Sequence, residues 1–250
     1  MSGHSHWATI RRKKGAADAK RGQAFTRLAR EIAIAARGGA DPSNNFQLQL
    51  AVERARAQNM PKDSIERAIK RGSGEDKEAA VIEEITYEGY GPQGVALIIE
   101  CLTDNRNRSV SELRHQLTRA GGSMAENGAV SWQFDREAYF YFPSSMLDFD
   151  KAFELGVENG ADDVSEDDGM IEIVGPVDSF SSLNRSLREV NVVPEEAGLR
   201  MVPKQELELD LEKTIQVYRT IEGIEELDDV QNVYHNLKLS DEAMEKLEEE

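Results

Sequence analysis

The sequence is poor in the residues that mark secreted, disulfide-bonded or membrane-spanning proteins. It contains one cysteine, Cys101, which excludes an internal disulfide and fits a reducing compartment. No apolar run approaches the roughly 20 residues that a membrane helix requires. The first residues also lack the apolar segment of a secretory signal. The composition therefore predicts a cytoplasmic protein without a membrane partner.

Motifs for catalysis, cofactors and metals are missing as well. We find no Ser/His/Asp arrangement, no Walker lysine and no pair of carboxylates suited to acid–base work, so we predict a non-enzymatic protein without a small-molecule substrate. The three glycines of Gly89–Gly94 have the spacing of a dinucleotide fingerprint, but a strand rather than a helix should follow them. His4 and His6 lack the partners of a zinc site, and the acidic run 162–169 has its glycine one position late for a calcium loop. We therefore expect no cofactor and no metal.

Charge is abundant, and its two signs are segregated along the chain. Residues 1–74 hold 15 Lys/Arg and 6 Asp/Glu, whereas residues 75–250 hold 15 Lys/Arg and 41 Asp/Glu. The first segment therefore has a net charge of +9 and the second a net charge of −26. A uniformly acidic protein repels nucleic acid, but a basic segment at one end can bind phosphates while the acidic remainder faces away. We predict that residues 1–74 bind nucleic acid.

The basic segment begins as an arm and continues as a helix. Residues 1–16 have no apolar period and are predicted to be flexible, and the helix is predicted over 17–37. Apolar side chains recur on one face of this helix, and cationic side chains lie mostly on the opposite face. Such a stripe is compatible with a solvated surface, but next to a basic arm it also suits phosphate binding. The predicted contacts are Arg11, Arg12, Lys13, Lys14, Lys20, Arg21, Arg27 and Arg30.

The order of the predicted elements indicates an α+β fold, with a three-helix domain followed by two α/β domains. Two further helices are expected over 45–58 and from Pro61 onward. Residues 138–203 have the order strand, helix, strand, strand, helix, strand of the ferredoxin-like arrangement, with Asp168-Gly169 as a hairpin turn. This domain is predicted to be inserted in the other α/β domain. The predicted domains are 1–74, then 75–135 together with 204–250, and the insertion 136–203.

Two loops of the split domain form a second predicted contact region. The segment Asp104–Arg108 combines two arginines and amide side chains before a helix, which suits a phosphate or a peptide carbonyl. Pairing of these arginines with nearby acids is equally compatible with the sequence. The loop Glu88–Gly94 presents Tyr90, which is suited to stacking on a base or to packing on its own sheet. The residues of this region are Tyr90, Asn105, Arg106, Asn107 and Arg108.

Two local predictions accompany these loops. The helix after Asp104–Arg108 is expected to begin with a capping box formed by Ser109 and Glu112. The alternation of residues predicts a further strand over Ala129–Phe134.

Several motifs, in one order, resemble the YebC/PmpR family. They are Gly3-His4-Ser5-x-Trp7-Ala8, Asp18-Ala19-Lys20-Arg21-Gly22, Phe25-Thr26, Asn59-Met60-Pro61, Tyr87-Glu88-Gly89-Tyr90-Gly91-Pro92, Asp104-Asn105-Arg106-Asn107-Arg108 and Asp228-Asp229-Val230-Gln231-x-Val233-Tyr234-His235-Asn236. The resemblance implies one helical and two α/β domains in a cytoplasmic bacterial regulator or its organellar relative. At His6 and Asn45-Phe46-Gln47 the chain departs from the family pattern, and both departures remove positive charge.

The resemblance implies one of two roles. One is DNA-binding transcriptional regulation. The other is translational activation on the ribosome, with contacts to ribosomal or transfer RNA and relief of stalls at proline-rich stretches. The sequence is compatible with both, so the predicted partner is DNA, RNA or the ribosome itself.

Overall fold

The computed structural model describes residues 18–76 and 78–248, and for side chains residues 22–76, 78–240 and 242–247. Within these residues the chain forms eight α-helices and two four-stranded sheets, which confirms the predicted α+β class. Two compact units result. One is Asp135–Val202, and the other consists of the described residues on either side of it. The division into three domains, 1–74, 75–135 with 204–250, and 136–203, stays a prediction.

Three helices at the N-terminal end form a small bundle, which we name the helical head. They are α1 (Asp18–Ala35), α2 (Phe46–Ala57) and α3 (Lys62–Ser73). Their apolar faces meet in a core that contains the fully buried side chains of Ile32 and Leu48. The spacing of these apolar residues follows the helical period, which is why the sequence predicts all three helices.

Polar and glycine residues fix the helix ends of the head. The side-chain oxygen of Asn45 accepts a hydrogen bond from the backbone N–H of Leu48 at 3.2 Å. Its side-chain nitrogen donates to the carbonyls of Ala35 at 2.7 Å and Gly39 at 2.8 Å. One side chain thus caps α2 and ties its start to the end of α1. At the other end, α3 stops at Gly74, whose φ of 79° lies in the left-handed region that glycine adopts without strain.

The first sheet combines strands from both sides of the inserted unit. Its order is β3-β1-β2-β8, where the strands are β1 (Glu83–Tyr90), β2 (Ala96–Thr103), β3 (Ser123–Ala125) and β8 (Val230–His235). The sheet packs against α4 (Arg106–Ala120) and α7 (Leu211–Glu225), and α8 (Asp241–Glu248) follows at the end of the described chain. The C-terminal helix and strand therefore complete a sheet that begins before the insertion.

The prediction of a strand over Ala129–Phe134 is wrong. The third strand of the first sheet is Ser123–Ala125, and Ser131–Gln133 forms a turn of 3-10 helix. The backbone N–H groups of Val130 and Ser131 are captured by the carboxylate of Glu88 instead of a neighbouring strand. A side chain about 40 residues away in the sequence therefore overrides the local strand pattern.

The inserted unit has the ferredoxin-like order. Its strands are β4 (Phe134–Pro143), β5 (Asp163–Asp167), β6 (Met170–Pro176) and β7 (Glu196–Pro203), and its helices are α5 (Phe149–Glu158) and α6 (Phe180–Glu189). The sheet order is β5-β6-β4-β7. Asp168 and Gly169 form the predicted hairpin turn, with φ of 48° and 75°, as a turn of mirror-image type requires. Phe140 and Phe180 stack in its core with ring centroids 5.0 Å apart.

Candidate nucleic-acid interface

The predicted phosphate contacts fall into three groups. Arg11, Arg12, Lys13 and Lys14 lie outside the described residues. Lys20 and Arg21 lie in the first turns of α1, where the backbone but not the side chains is described. Arg27 and Arg30 lie farther along α1, and their side chains are placed.

Arg27 and Arg30 are directed at the connection between α7 and β8. An Arg30 nitrogen lies 2.9 Å from a carboxylate oxygen of Asp229, and another donates to the carbonyl of Asp228. Arg27 donates to the carbonyl of Leu227 at 3.2 Å. The Arg30 side chain is only 11% exposed. These two arginines therefore hold the helical head against the first sheet.

Asp229 is the centre of this contact. Its side chain is 2% exposed and accepts hydrogen bonds from Thr103 at 2.9 Å and Ser109 at 2.7 Å. Arg108 donates to both of its oxygens, at 2.7 and 2.9 Å. Burial raises the pKa of Asp229, but the bonds from Arg108, Ser109 and Thr103 and the charge of Arg30 outweigh burial and lower the pKa. The residue is a carboxylate at neutral pH, with both oxygens occupied.

The second predicted contact region is a helix start rather than a free loop. The side-chain oxygen of Asn105 accepts from the backbone N–H of Arg108 at 3.2 Å, so α4 begins at Arg106. The predicted capping box at Ser109 is therefore wrong by one helical turn, because the Ser109 hydroxyl bonds to Thr103 and Asp229 inside the structure. Asn105 and Ser109 are both of the residue types that favour helix starts. The carboxylate of Asp229, which binds the Ser109 hydroxyl, decides between them.

The arginines of this region pair with acids of the same unit. Arg106 donates to a Glu83 carboxylate oxygen at 2.6 Å through Nε. Arg108 bridges Asp229 and Asp104, with a separation of 3.1 Å to the latter. Asn107 is exposed beside them. Since β2 lies between this helix start and the Glu88–Gly94 loop, the two loops lie at opposite ends of that strand.

Tyr90 supports a neighbouring turn. Its hydroxyl donates to the carbonyl of Ala129 at 3.2 Å, and Tyr87 packs against the core of the first sheet. The nearby Glu88 is buried in β1, and its carboxylate accepts backbone N–H groups of Gly128 at 2.8 Å, Val130 at 2.7 Å and Ser131 at 3.1 Å. Glu88 and Tyr90, at the end of β1, therefore both bind the turn that follows β3.

Trp132 lies in that turn and is 68% exposed. It was not among the predicted contacts, because the residues around it alternate as in a strand. The signal that points to it is the turn-forming run Glu126-Asn127-Gly128, which interrupts the pattern before the tryptophan.

The helical head carries further cations on its surface. Arg56, Lys62, Arg67 and Lys70 are exposed on α2 and α3. Lys62 lies 3.6 Å from Glu66, and Arg67 donates to the Asp63 carbonyl and the Ser64 hydroxyl within its own helix. A cleft of about 270 Å³ nearby is lined by Arg37 and Arg71, but these guanidinium groups donate to the carbonyls of Ile82 and Ala80. The exposed cations of α2 and α3 were not among the predicted contacts.

Among the described residues, the side chains that commonly bind metals do not cluster. No group of three or more His, Cys, Asp or Glu side chains among them is placed to hold a metal ion. Burial raises the pKa of Cys101 to about 12, so its thiol is protonated and unreactive at neutral pH. Across 18–76 and 78–248, no helix has the length and apolar character needed to cross a membrane.

Replacing Glu88 by glutamine is expected to loosen the segment 126–133 between β3 and β4, which we name the Trp132 turn. The carboxamide offers one acceptor oxygen instead of two, so at least one of three backbone N–H groups loses its partner. A buried unsatisfied group of this kind costs about 1–3 kcal/mol. Urea unfolding should show this loss for Glu88→Gln and no comparable loss for Glu84→Gln, since Glu84 lies on the same strand outside the turn. Equal stability of the two variants would show that the carboxylate does not fix the turn.

The same carboxylate predicts an acid-dependent transition. Burial raises the pKa of Glu88, but hydrogen bonds from Val130, Gly128 and Ser131 outweigh burial and lower it. Because its folded-state pKa is lowered, the Glu88 carboxylate stabilises the fold at pH values above the ordinary glutamate pKa of about 4.3. This stabilisation is lost as the pH falls through the lower folded-state pKa. Trp132 emission in a Trp7→Phe background should stay constant from about pH 8 to pH 5 and change below about pH 4. Glu88→Gln should remove this step. If the emission change below about pH 4 persists in Glu88→Gln, other carboxylates cause it.

Comparisons with known proteins cover nearly the whole chain. The family description "TACO1/YebC protein N-terminal domain" matches residues 5–75, and "TACO1/YebC second and third domain" matches residues 82–237. A relative from Geotalea uraniireducens, named probable transcriptional regulatory protein, is 47% identical over 248 residues, which are 99% of this chain and all of the relative. A relative of the same name from Bifidobacterium longum is 49% identical over 252 residues and covers 100% of both chains.

A solved structure has the same fold. The crystal structure of a conserved hypothetical protein from Aquifex aeolicus superposes with a TM-score of 0.79 at 38% sequence identity, and the match covers 90% of this chain and 93% of that one. The resemblance inferred from the motifs is therefore confirmed. The chain belongs to the TACO1/YebC family.

Proposed function

We propose that the protein is a non-enzymatic regulator of gene expression that binds nucleic acid through its basic N-terminal segment. The observation that carries the proposal is the charge segregation, +9 in residues 1–74 against −26 in residues 75–250. Lysine and arginine contacts to phosphate supply affinity that does not depend on sequence. The names of the relatives, probable transcriptional regulatory protein, support a regulatory role rather than an enzymatic one.

The proposed phosphate contacts are led by the arm Arg11–Lys14, with Lys20 and Arg21 at the start of α1. Arg27 and Arg30 serve the interface by fixing the head, because their hydrogen bonds go to the α7–β8 connection. The exposed Arg56, Lys62, Arg67 and Lys70 extend the positive surface over α2 and α3. Arg106 and Arg108 are paired with acids, so we assign them a supporting role in the same unit.

DNA is the first proposed target, since the relatives are named as transcriptional regulators. A ribosome-associated translational activator that binds ribosomal or transfer RNA is the second candidate. The exposed ring of Trp132 favours this alternative, because a ring can stack on an unpaired base, and unpaired bases are common in folded RNA. For either role we propose a cytoplasmic protein that acts without a cofactor.

Crosslinking in cells followed by sequencing of the bound nucleic acid tests the proposal. A transcriptional regulator predicts crosslinks at defined promoters, whereas a translational activator predicts crosslinks to ribosomal or transfer RNA and sedimentation with ribosomes. Alanine replacement of Arg11, Arg12, Lys13 and Lys14 should reduce the crosslinks in both cases. Absence of crosslinks to either nucleic acid would identify a purely protein-binding adaptor and overturn the proposal.

A further inference from the structure

The side chain of Trp132 is displayed to solvent with its polar group already satisfied. The residue is 68% exposed, and its indole N–H donates to the carbonyl of Ala129 at 3.0 Å. An indole that anchors a protein interface commonly donates this hydrogen to its partner. Here the hydrogen bond fixes the orientation of the ring, and what remains available to a ligand is the aromatic face.

Hydrogen bonds from other segments of the chain hold the turn that carries the ring. The buried carboxylate of Glu88 binds three backbone N–H groups of the turn, and the Tyr90 hydroxyl shares the Ala129 carbonyl with the indole. The Lys204 backbone N–H also donates to the carbonyl of Gln133 at 2.8 Å. A buried carboxylate that binds several backbone groups of one turn makes that turn rigid. These bonds hold the turn in the arrangement in which the ring is exposed.

The surroundings of the ring favour a nucleobase over a protein as its ligand. Among the described residues of this compact unit, the other large apolar side chain with high exposure is Val81, at 72%. Val81 precedes the opposite end of β1, roughly 20 Å away at about 3.3 Å per strand residue. Protein interfaces surround an aromatic anchor with an apolar patch, whereas a base needs one aromatic face.

A cation is bonded to the backbone of the residue that carries the ring. The ammonium group of Lys204 donates to the carbonyl of Trp132 at 3.0 Å. Proteins that bind single strands combine aromatic side chains, on which bases stack, with positive charge that follows the phosphate backbone. Trp132 and the lysine bonded to its carbonyl provide both residue types at one turn. We propose that Trp132 is a stacking site for an unpaired nucleobase of a single-stranded or looped nucleic acid. This inference rests on the nucleic-acid-binding function proposed above and names the ligand that one residue takes.

Fluorescence tests this site directly, because the chain has two tryptophans, Trp7 and Trp132. In a Trp7→Phe background, Trp132 is the only tryptophan reporter. Titration with single-stranded oligouridylate and oligoadenylate should quench its emission, as stacking on a base does. Blunt duplexes of the same length should bind through the basic segment and leave the emission unchanged. Quenching by the duplexes to the same extent would contradict a site for unpaired bases.

Substitutions separate stacking from simple apolar contact. Trp132→Ala should weaken single-strand binding about 5- to 150-fold, the range found when a stacked base loses its aromatic partner, and leave duplex binding unchanged. Trp132→Phe should recover part of the affinity, and Trp132→Leu should not. Val81→Ser is the control and should bind as the parent does. Thermal unfolding of each variant verifies that the fold is retained, which the exposure of Trp132 favours.

The possible outcomes separate the stacking site from the function on which it rests. If duplexes and single strands both bind with strong salt dependence while Trp132 is silent, the stacking site is wrong and the proposed function stands. If Trp132→Leu binds as well as Trp132→Phe, the contact is not stacking, and the inference fails. If Trp132→Ala binds all nucleic acids normally but loses a protein partner, the ring belongs to a protein interface instead. If no nucleic acid binds the parent chain, the proposed function and the stacking site fail together.

Discussion

Asp229→Ala is expected to destabilise the fold by about 3–5 kcal/mol, the cost of removing one partner from a buried ion pair. The substitution leaves the Arg30 and Arg108 guanidinium groups without their carboxylate and strips the Thr103 and Ser109 hydroxyls of an acceptor. Because Arg108 is partly exposed and retains Asp104, the destabilisation should lie toward the lower end of that range. Urea unfolding monitored by circular dichroism measures it.

The adjacent Asp228 provides a matched control. Its side chain is exposed, and its backbone carbonyl is what meets Arg30, so Asp228→Ala should change stability by no more than about 0.5 kcal/mol. The deficit of Asp229→Ala should also depend on pH. Since the folded-state pKa of Asp229 is lowered, its contribution is present above the ordinary value of about 3.9 and is lost as the pH falls through the folded-state pKa. Equal stability of the two variants at pH 7 would show that this cluster does not hold the head.

Gly72→Ala is expected to disrupt the packing of α3 on α1. A Cβ atom at position 72 would lie 2.0 Å from the carbonyl oxygen of Ala33 and 2.7 Å from its carbonyl carbon, and both are backbone atoms that cannot rotate away. The helices must separate, so the cost should reach or exceed the roughly 3 kcal/mol at the upper end of ordinary overpacking. Denaturant unfolding should show this destabilisation.

The control for this substitution is Gly22→Ala on α1. No described atom lies within 4 Å of a Cβ atom at position 22, and alanine is the better helix former by roughly 0.5–1 kcal/mol. The same chemical change is thus expected to stabilise one helix and disrupt the packing of another. If Gly72→Ala is as stable as Gly22→Ala, α1 and α3 do not approach closely enough at Ala33 to require glycine.

The sequence predicts the elements of this fold better than the interactions of its charges. The helices of the head follow from apolar periodicity, and the Asp168-Gly169 turn follows from residue types that tolerate positive φ. Arg27 and Arg30 have the same pattern whether they face solvent or a carboxylate about 200 residues away, so their partners at Leu227–Asp229 cannot be found by local reasoning. Strand β8 can be assigned to the first sheet from the sequence only because residues 75–135 lack the second helix and closing strand of an α/β domain.

The helix start and the Trp132 turn show the same limit. Asn105 and Ser109 are both good capping residues, and Asp229 decides between them by binding the Ser109 hydroxyl. The run Ala129–Phe134 alternates like a strand, and Glu88 converts it to a turn by accepting its N–H groups. In each case a buried carboxylate from a distant segment outweighs a local preference, and a single sequence contains no signal of that pairing.

The measurement that tests the central claim most directly is the salt dependence of nucleic-acid binding. The affinity of the full chain for a duplex and for a single strand, measured by fluorescence anisotropy of the labelled oligonucleotide, should fall linearly on a plot of log K against log salt. Replacing Arg11, Arg12, Lys13 and Lys14 by alanine should reduce the slope by roughly 0.7–0.9 for each phosphate that the arm no longer neutralises.

A control variant changes the net charge equally outside the basic segment. In it, four exposed cations of the acidic region, Arg114, Arg119, Lys151 and Lys246, are replaced by alanine. The control should retain the parental slope, because these positions are not expected to meet phosphate. An arm variant with the parental slope, or a control whose slope falls as much as that of the arm variant, would contradict the claim that the basic N-terminal segment binds nucleic acid.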